Sequence, residues 1–128
     1  MLTIRPINIQ DRLIWSAMRT ELWPDTPDEH LTEIDQFFSG NSIDITAVLV
    51  AEFDTKMVGF IELNLRNFAE GSRNSPVPYI EAWFVAREFR AQGVGSQLIS
   101  SAERWALENG YSEIASDTEL DNHRSIAM

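Results

Sequence analysis

Arg90-Ala91-Gln92-Gly93-Val94-Gly95-Ser96 is the stretch on which the reading of this 128-residue chain turns. It follows an apolar, aromatic run, Tyr79-Ile80-Glu81-Ala82-Trp83-Phe84-Val85, and opens an amphipathic segment that reaches Asn109. A strand that feeds a glycine-bearing turn and then a helix leaves N–H groups unpaired at the positive end of the helix dipole. Such a junction suits a phosphate or pyrophosphate. Gly93 and Gly95 place no Cβ between backbone and anion, and Arg87 and Arg90 are near enough to add charge-assisted contacts. A plain turn is the alternative. Two better-known phosphate motifs are excluded: Leu98 stands where a dinucleotide fingerprint needs its third glycine, and the only lysine is Lys56, so there is no Gly-Lys-Ser/Thr.

Upstream, Leu2 to Ile7 alternates like a half-buried strand, and Leu13, Ile14, Ala17, Met18 and Leu22 recur at helical spacing. Trp23-Pro24 closes that helix. Thr26, Pro27 and Glu29 carry the signals of a capped second helix, whose buried face is read as Leu31, Ile34, Phe37 and Phe38. Ile45–Phe53 and Met57–Leu65 read as an antiparallel hairpin turning at Asp54-Thr55-Lys56. A loop from Arg66 to Pro78 precedes the central strand. That strand is apolar on both faces except at Glu81, so it is expected to be buried on both. Downstream, Val94, Leu98, Ile99, Ala102, Trp105 and Ala106 make one apolar stripe. Glu113 to Asp117 reads as a further strand, and Asp121 or Asn122 as the cap of a helix that His123 begins.

The length suits one domain with its own core, and 44% hydrophobic against 23% charged residues is ordinary for a globular chain. The absence of cysteine removes disulfides, thiolate metal sites and a thiol nucleophile, and two histidines make a metal site improbable. The start lacks the layout of a secretion signal, and no apolar run is long enough to span a bilayer. The expected location is therefore the cytoplasm, away from the membrane. Net charge is −10. Nucleic acid is a poor partner for such a surface and a cationic small molecule a good one, with solubility alone as the competing explanation.

Arg90-x-x-Gly93-x-Gly95, after a strand ending in valine, resembles the acyl-CoA-binding motif Gln/Arg-x-x-Gly-x-Gly/Ala of the GNAT superfamily of N-acetyltransferases. Leu22-Trp23-Pro24-Asp25, Ser75-Pro76-Val77, Ile80-Glu81, Ala115-Ser116-Asp117 and Leu120-Asp121-Asn122 follow the order and spacing of one branch, the aminoglycoside 6'-N-acetyltransferases. The likeness covers nearly the whole chain. It implies an α/β (α+β) fold, a mixed, mostly antiparallel twisted sheet flanked by helices, in a single domain over residues 1–128. In that family a helix and two more strands come after the position of Met128, so the domain is expected to be C-terminally incomplete, or else to depart from its family at that end.

The resemblance implies an enzyme that moves the acetyl group of acetyl-CoA directly to a primary amine, the 6'-amine of an aminoglycoside, as an antibiotic-resistance homodimer. Another small amine, a polyamine, a protein amine, or a non-catalytic acyl-CoA-binding module stand as alternatives. In the resembled fold the central strand splays from its neighbour and pairs with the pantetheine arm through free N–H groups. Trp83, Phe84 and Val85 occupy those positions, and a backbone N–H there would face the thioester oxygen. For the pyrophosphate, Arg90 and the backbone of Ala91, Gln92, Gly93, Val94, Gly95 and Ser96 are the donors. Asn122 stands where the family touches the cofactor, with helix capping as its other reading.

Glu81 is the most suggestive acid, since a charge inside an apolar strand is costly unless it is paired or faces a cleft. In the resembled enzymes a glutamate here contacts the amino sugar, holding the ammonium or taking its proton through water. The alternative is pairing with a core arginine. Asp117 matches a substrate-contacting aspartate; a turn former is its alternative. Trp23 and Phe68 are candidate walls of the acceptor pocket, against the default of core packing. Asp25, Asp28 and Glu70 are candidate rim acids.

Overall fold

The computed structural model describes residues 1–67 and 76–116 and the backbone of 123–125. Six strands, β1 (Leu2–Pro6), β2 (Ala47–Phe53), β3 (Lys56–Arg66), β4 (Val77–Val85), β5 (Glu113–Ser116) and β6 (His123–Ser125), form one sheet in chain order. Every pairing is antiparallel except β4 with β5. That exception follows from helix α3 (Val94–Glu108), which carries the chain back so that β5 can run alongside β4. Helices α1 (Arg12–Leu22) and α2 (Pro27–Phe38) lie between β1 and β2 in sequence.

Alternation along the strands sends side chains to two separate cores. On one face Val94, Leu98, Ala102 and Ala106 of α3, one helical stripe, pack on Ala51, Val58, Ile61, Leu63, Ile80 and Ile114. Burying Leu98 fully contributes about 1.5–3 kcal/mol. On the other face Trp15 and Met18 of α1 and Ile34 of α2 pack on Val48, Val50, Phe60, Ala82 and Phe84. The expected α3 stripe and the doubly covered central strand are both present, with Trp83 the exposed residue of β4.

Several local expectations are corrected. The inward face of α1 is Trp15, Met18 and Arg19, while Leu13, Ile14 and Ala17 face outward. Both sets have helical spacing. The larger indole decides between them, packing edge-on against Phe37, Phe38 and Phe60 at 5.6, 5.8 and 6.5 Å. Thr26 makes no side-chain cap, so the expected capping box is replaced by a backbone bond from Glu29 N–H to the Thr26 carbonyl at 3.2 Å. Leu31 points to solvent, and His30 takes the buried place beside Trp23. The hairpin turn is Asp54–Thr55 alone, both with positive φ, and Phe53 pairs with Lys56. His123–Ser125 is a strand rather than a helix start, and it pairs along the edge β5 would otherwise leave open.

Candidate active site

The site begins with a register fault. Glu62 pairs with Ala82 and Leu63 with Ile80, so Glu81 is an extra residue in β4, a bulge. Ile80 joins the α3-side core, and the next two residues both serve the other face: Ala82 enters that core, and Glu81 lines a hollow with Arg19 and Trp23. β5 pairs with β4 only at Tyr79 and Ile80. From Glu81 to Val85 that edge of β4 has no strand partner among the described residues. The open edge expected at Trp83, Phe84 and Val85 is therefore there in the backbone.

Two concavities meet at this point. One, of about 530 Å³, is lined by Glu33, Asp44, Glu62 and Glu81 together with Arg19 and Arg66. The other, of about 240 Å³, lies along the open edge between Trp23, Ala82, Trp83 and Ser116. Trp23 and Glu81 line both. Trp23 is held at the end of α1 by stacking on His30 at 6.1 Å, by the Arg19 guanidinium 5.2 Å from its ring, and by His30 Nε2 donating to its carbonyl at 3.1 Å.

Glu81 itself is paired. Arg66 donates from Nε to Oε2 and from Nη2 to Oε1, each at 2.7 Å, and Asn64 Nδ2 donates to Oε2 at 3.3 Å. Glu81 is thus paired with an arginine, but not the core arginine of the alternative: Arg66 is part-exposed on the wall of the same hollow. Arg66 Cζ also lies over Tyr79, 3.7 Å from the ring centre.

A second acid of the hollow went unnoticed in the sequence. Glu62 of β3 is almost wholly buried, accepts from Trp15 Nε1 at 2.9 Å and lies 3.1 Å from Arg19 Nε. Burial pushes its carboxyl up to about 7, against the pull of Arg19 and Trp15; the nearby charges of Glu33 and Glu81 add to the rise. Arg19 reaches Glu33 through Nη2 at 2.6 Å. The clue was available: Glu62 interrupts Val58-Gly59-Phe60-Ile61 and Leu63 as Glu81 interrupts β4. Of the acids expected at the rim, Asp25 and Asp28 are not among the lining residues.

At the turn, Arg90 is drawn back onto the strand: its Nε donates to the Val85 carbonyl at 2.8 Å and its guanidinium stands 5.5 Å from the Phe84 ring. Gln92 Nε2 donates to the Glu88 carbonyl. Ala91 and Gly93 both have positive φ, and Gly93 starts α3 without any side-chain cap. The first-turn N–H groups are therefore without a side-chain cap, as an anion site requires. Val94 sinks into the core, so only its backbone could serve a ligand. Gly95 has a reason beyond anions: a Cβ there would stand 2.9 Å from Trp83 Cζ2. Ser96 joins Trp83 and Ser100 in a third hollow, of about 270 Å³. Phe68, Asp117 and Asn122, and Glu70 with them, lie outside the described residues. No cluster of three or more histidine, aspartate or glutamate side chains able to hold a metal occurs among the described residues, and none of their helices is long and apolar enough to cross a membrane.

Residues 13–128 match the model of the Acetyltransferase (GNAT) family. This chain belongs to that family. The GNAT chain is similar to an aminoglycoside N(6')-acetyltransferase type 1 of Klebsiella aerogenes, 44% identical over 124 residues that cover 95% of this chain and 82% of the relative. It is also similar to a solved structure of AAC(6')-Iy in complex with the bisubstrate analogue CoA-S-monomethyl-acetylneamine. There the TM-score is 0.83 at 34% identity, over 95% of this chain and 82% of the other. Against AAC(6')-Ih from Acinetobacter baumannii the TM-score is 0.80 at 34% identity, again over 95% and 82%. The residues present fit an acyl-CoA on their own geometry: a strand edge unpaired among the described residues for an extended arm, and beside it an uncapped helix start for its phosphates.

Proposed function

We propose that this chain is an aminoglycoside 6'-N-acetyltransferase, moving the acetyl group of acetyl-CoA directly to the 6'-amine of the antibiotic. The observation that carries the reading is the meeting, at Glu81 and Trp23, of an acid-lined hollow with the open edge of β4. The relatives' names support the acceptor.

Acetyl-CoA supplies an acetyl group already activated as a thioester. The chain's part is to bind, orient and manage a proton. The unpaired edge of Trp83, Phe84 and Val85 offers backbone groups to an extended ligand. Ala91, Gln92, Gly93, Val94, Gly95 and Ser96 offer N–H groups to an anion, with Arg90 near by. Trp23 walls the acceptor's side. Glu81 holds the ammonium, or accepts its proton through water, and so fixes which nitrogen faces the open edge. By resemblance, Asp117 joins Glu81, Phe68 joins Trp23, and Asn122 touches the cofactor. The resemblance also supports a homodimer acting in the cytoplasm, with neither nucleic acid nor membrane as partner.

The test is CoA thiol release over a panel of acceptors, with Glu81→Gln and Asp117→Asn beside the wild type. Kanamycin or tobramycin should turn over well ahead of spermidine or a lysine peptide. Each variant should lose about tenfold or more in kcat/KM for the drug while keeping its affinity for acetyl-CoA. Turnover of spermidine or peptide but not of the drugs would remove the aminoglycoside assignment. Wild-type kinetics in both variants would remove the two acids from the site.

A further inference from the structure

Two ion pairs line the larger hollow, and they differ in one respect. The Arg19–Glu62 pair is sealed, with side chains 5% and 2% exposed; the Arg66–Glu81 pair is open, at 40% and 20%. A sealed pair cannot be parted without stranding a charge away from water, whereas an open pair separates at small cost because water or another ion replaces each partner. The open pair is nevertheless well made. The guanidinium meets both carboxylate oxygens, and its Cζ lies over the Tyr79 ring. Its N–H groups occupy the directions from which a ligand cation in the hollow would approach Glu81.

We propose that Arg66 is a built-in stand-in for the acceptor's ammonium, a specificity-determining residue that competes for Glu81 and is displaced only by acceptors carrying several positive charges. The inference rests on the acetyl-transfer reading above. Exchange of one cation for another at Glu81 is nearly neutral by itself, so an amine with one charge gains little by entering. A polycation gains from the rest of the wall as well. Glu33, Asp44, Glu62 and Glu81 stand against Arg19 and Arg66, a formal excess of two negative charges. The Tyr79 face gives the displaced guanidinium somewhere to remain, so the acceptor has to break the hydrogen bonds but not the stack. An empty site is thereby kept from holding an uncompensated carboxylate beside the buried Glu62, and single-charge amines are turned away by the same contact.

Arg66→Gln and Arg66→Lys, each alone and with Glu81→Gln, test this at saturating acetyl-CoA. The acceptors are kanamycin and a sugar with one amine, 6-amino-6-deoxyglucose, and the KM for acetyl-CoA is the internal control. Arg66→Gln should lower the KM of both acceptors by about three- to tenfold. The gain should be at least as large for kanamycin, because both acceptors displace the same contact and the polycation also profits from the lost positive charge. Arg66→Lys, which keeps the charge but not the two-pronged geometry, should fall between. Neither gain should survive in the Glu81→Gln background. A tightened KM is something a merely damaged fold does not produce. An unchanged or raised acceptor KM in Arg66→Gln overturns the proposal while leaving the acetyl-transfer reading intact, and so does a gain that persists without Glu81. If the wild type releases no CoA with any amine, that reading fails instead. Calorimetry with kanamycin as a simple polycation then decides the point: tighter binding to Arg66→Gln than to wild type upholds the stand-in, and equal or weaker binding ends it.

Discussion

The two faces of the sheet are built on different principles. The α3 face is aliphatic, from Ala51 and Val58 through Leu98 to Ala106. The α1/α2 face is aromatic, with Trp15, Phe60 and Phe84, and beside that core it buries Arg19, His30 and Glu62. On the proposed function, the division follows what each side has to recognise. A thioester arm and its phosphates are met by backbone N–H groups, which any sequence supplies once strand and helix are in place, so the α3 side needs only a firm scaffold. A cationic acceptor is met by side-chain charge, and charge near a core has to be tied down. Arg19 illustrates this: it is fastened to Glu33 and Glu62 and at the same time props Trp23.

That contrast can be broken most sharply at Glu62. Glu62→Leu leaves Arg19 buried with only the half-exposed Glu33, and should cost about 3 kcal/mol of stability in urea unfolding. Adding Arg19→Met should return most of that loss, because the pair gives way to packing. If the double variant is no more stable than the single, Arg19 and Glu62 do not act as a sealed pair.

A smaller effect concerns pH. The folded pKa of Glu62, about 7, lies above its ordinary 4.5, so the folded chain holds the proton more tightly than the unfolded one. Stability should therefore fall as pH rises from about 4.5 through about 7, by on the order of 1–3 kcal/mol, and level off above. Asp11 runs the opposite way at lower pH: hydrogen bonds from Arg5 hold its carboxyl below 3.8, so its contribution disappears as acid protonates it. In Glu62→Gln the fall between 4.5 and 7 should vanish and the acid limb remain. The same slope in both proteins would mean that Glu62 is not the group that titrates.

The least of the three lies at the α3 start. Gly93 has φ +82°, and a Cβ there would meet nothing within 4 Å. Its glycine is required by backbone conformation, not by crowding. Gly93→Val should cost about 1–2 kcal/mol, and Gly93→Asn, which tolerates that conformation, clearly less. Equal losses in thermal melts would point to a steric cause after all.

The residues of the turn, the α3 stripe, the hairpin and the central strand could be read in advance because each is a local pattern: a glycine at a junction, apolar spacing of three and four, or apolar runs cut by turn formers. The face of α1 could be read only in part: Met18 and Leu22 pack inward as expected, but Leu13, Ile14 and Ala17 do not. Leu13-Ile14-Ala17 and Trp15-Met18-Arg19 are equally periodic, and only the aromatic cluster from α2 and β3 selects the second. Glu81 could be singled out as a charge in an apolar strand, but its partner Arg66 lies fifteen residues away across a register fault that no local pattern announces. Glu62 obeyed the same rule as Glu81 and was legible in principle.

The amino-acid sequence by itself determined the family, the strand–turn–helix that suits an acyl-CoA, and the acidic balance that suits a cation, because these depend on residue types at short spacing. The tertiary structure alone decided how the charges are partnered. One arginine is sealed in its pair and the other is part-exposed, since the fold fixes burial and distance between remote strands.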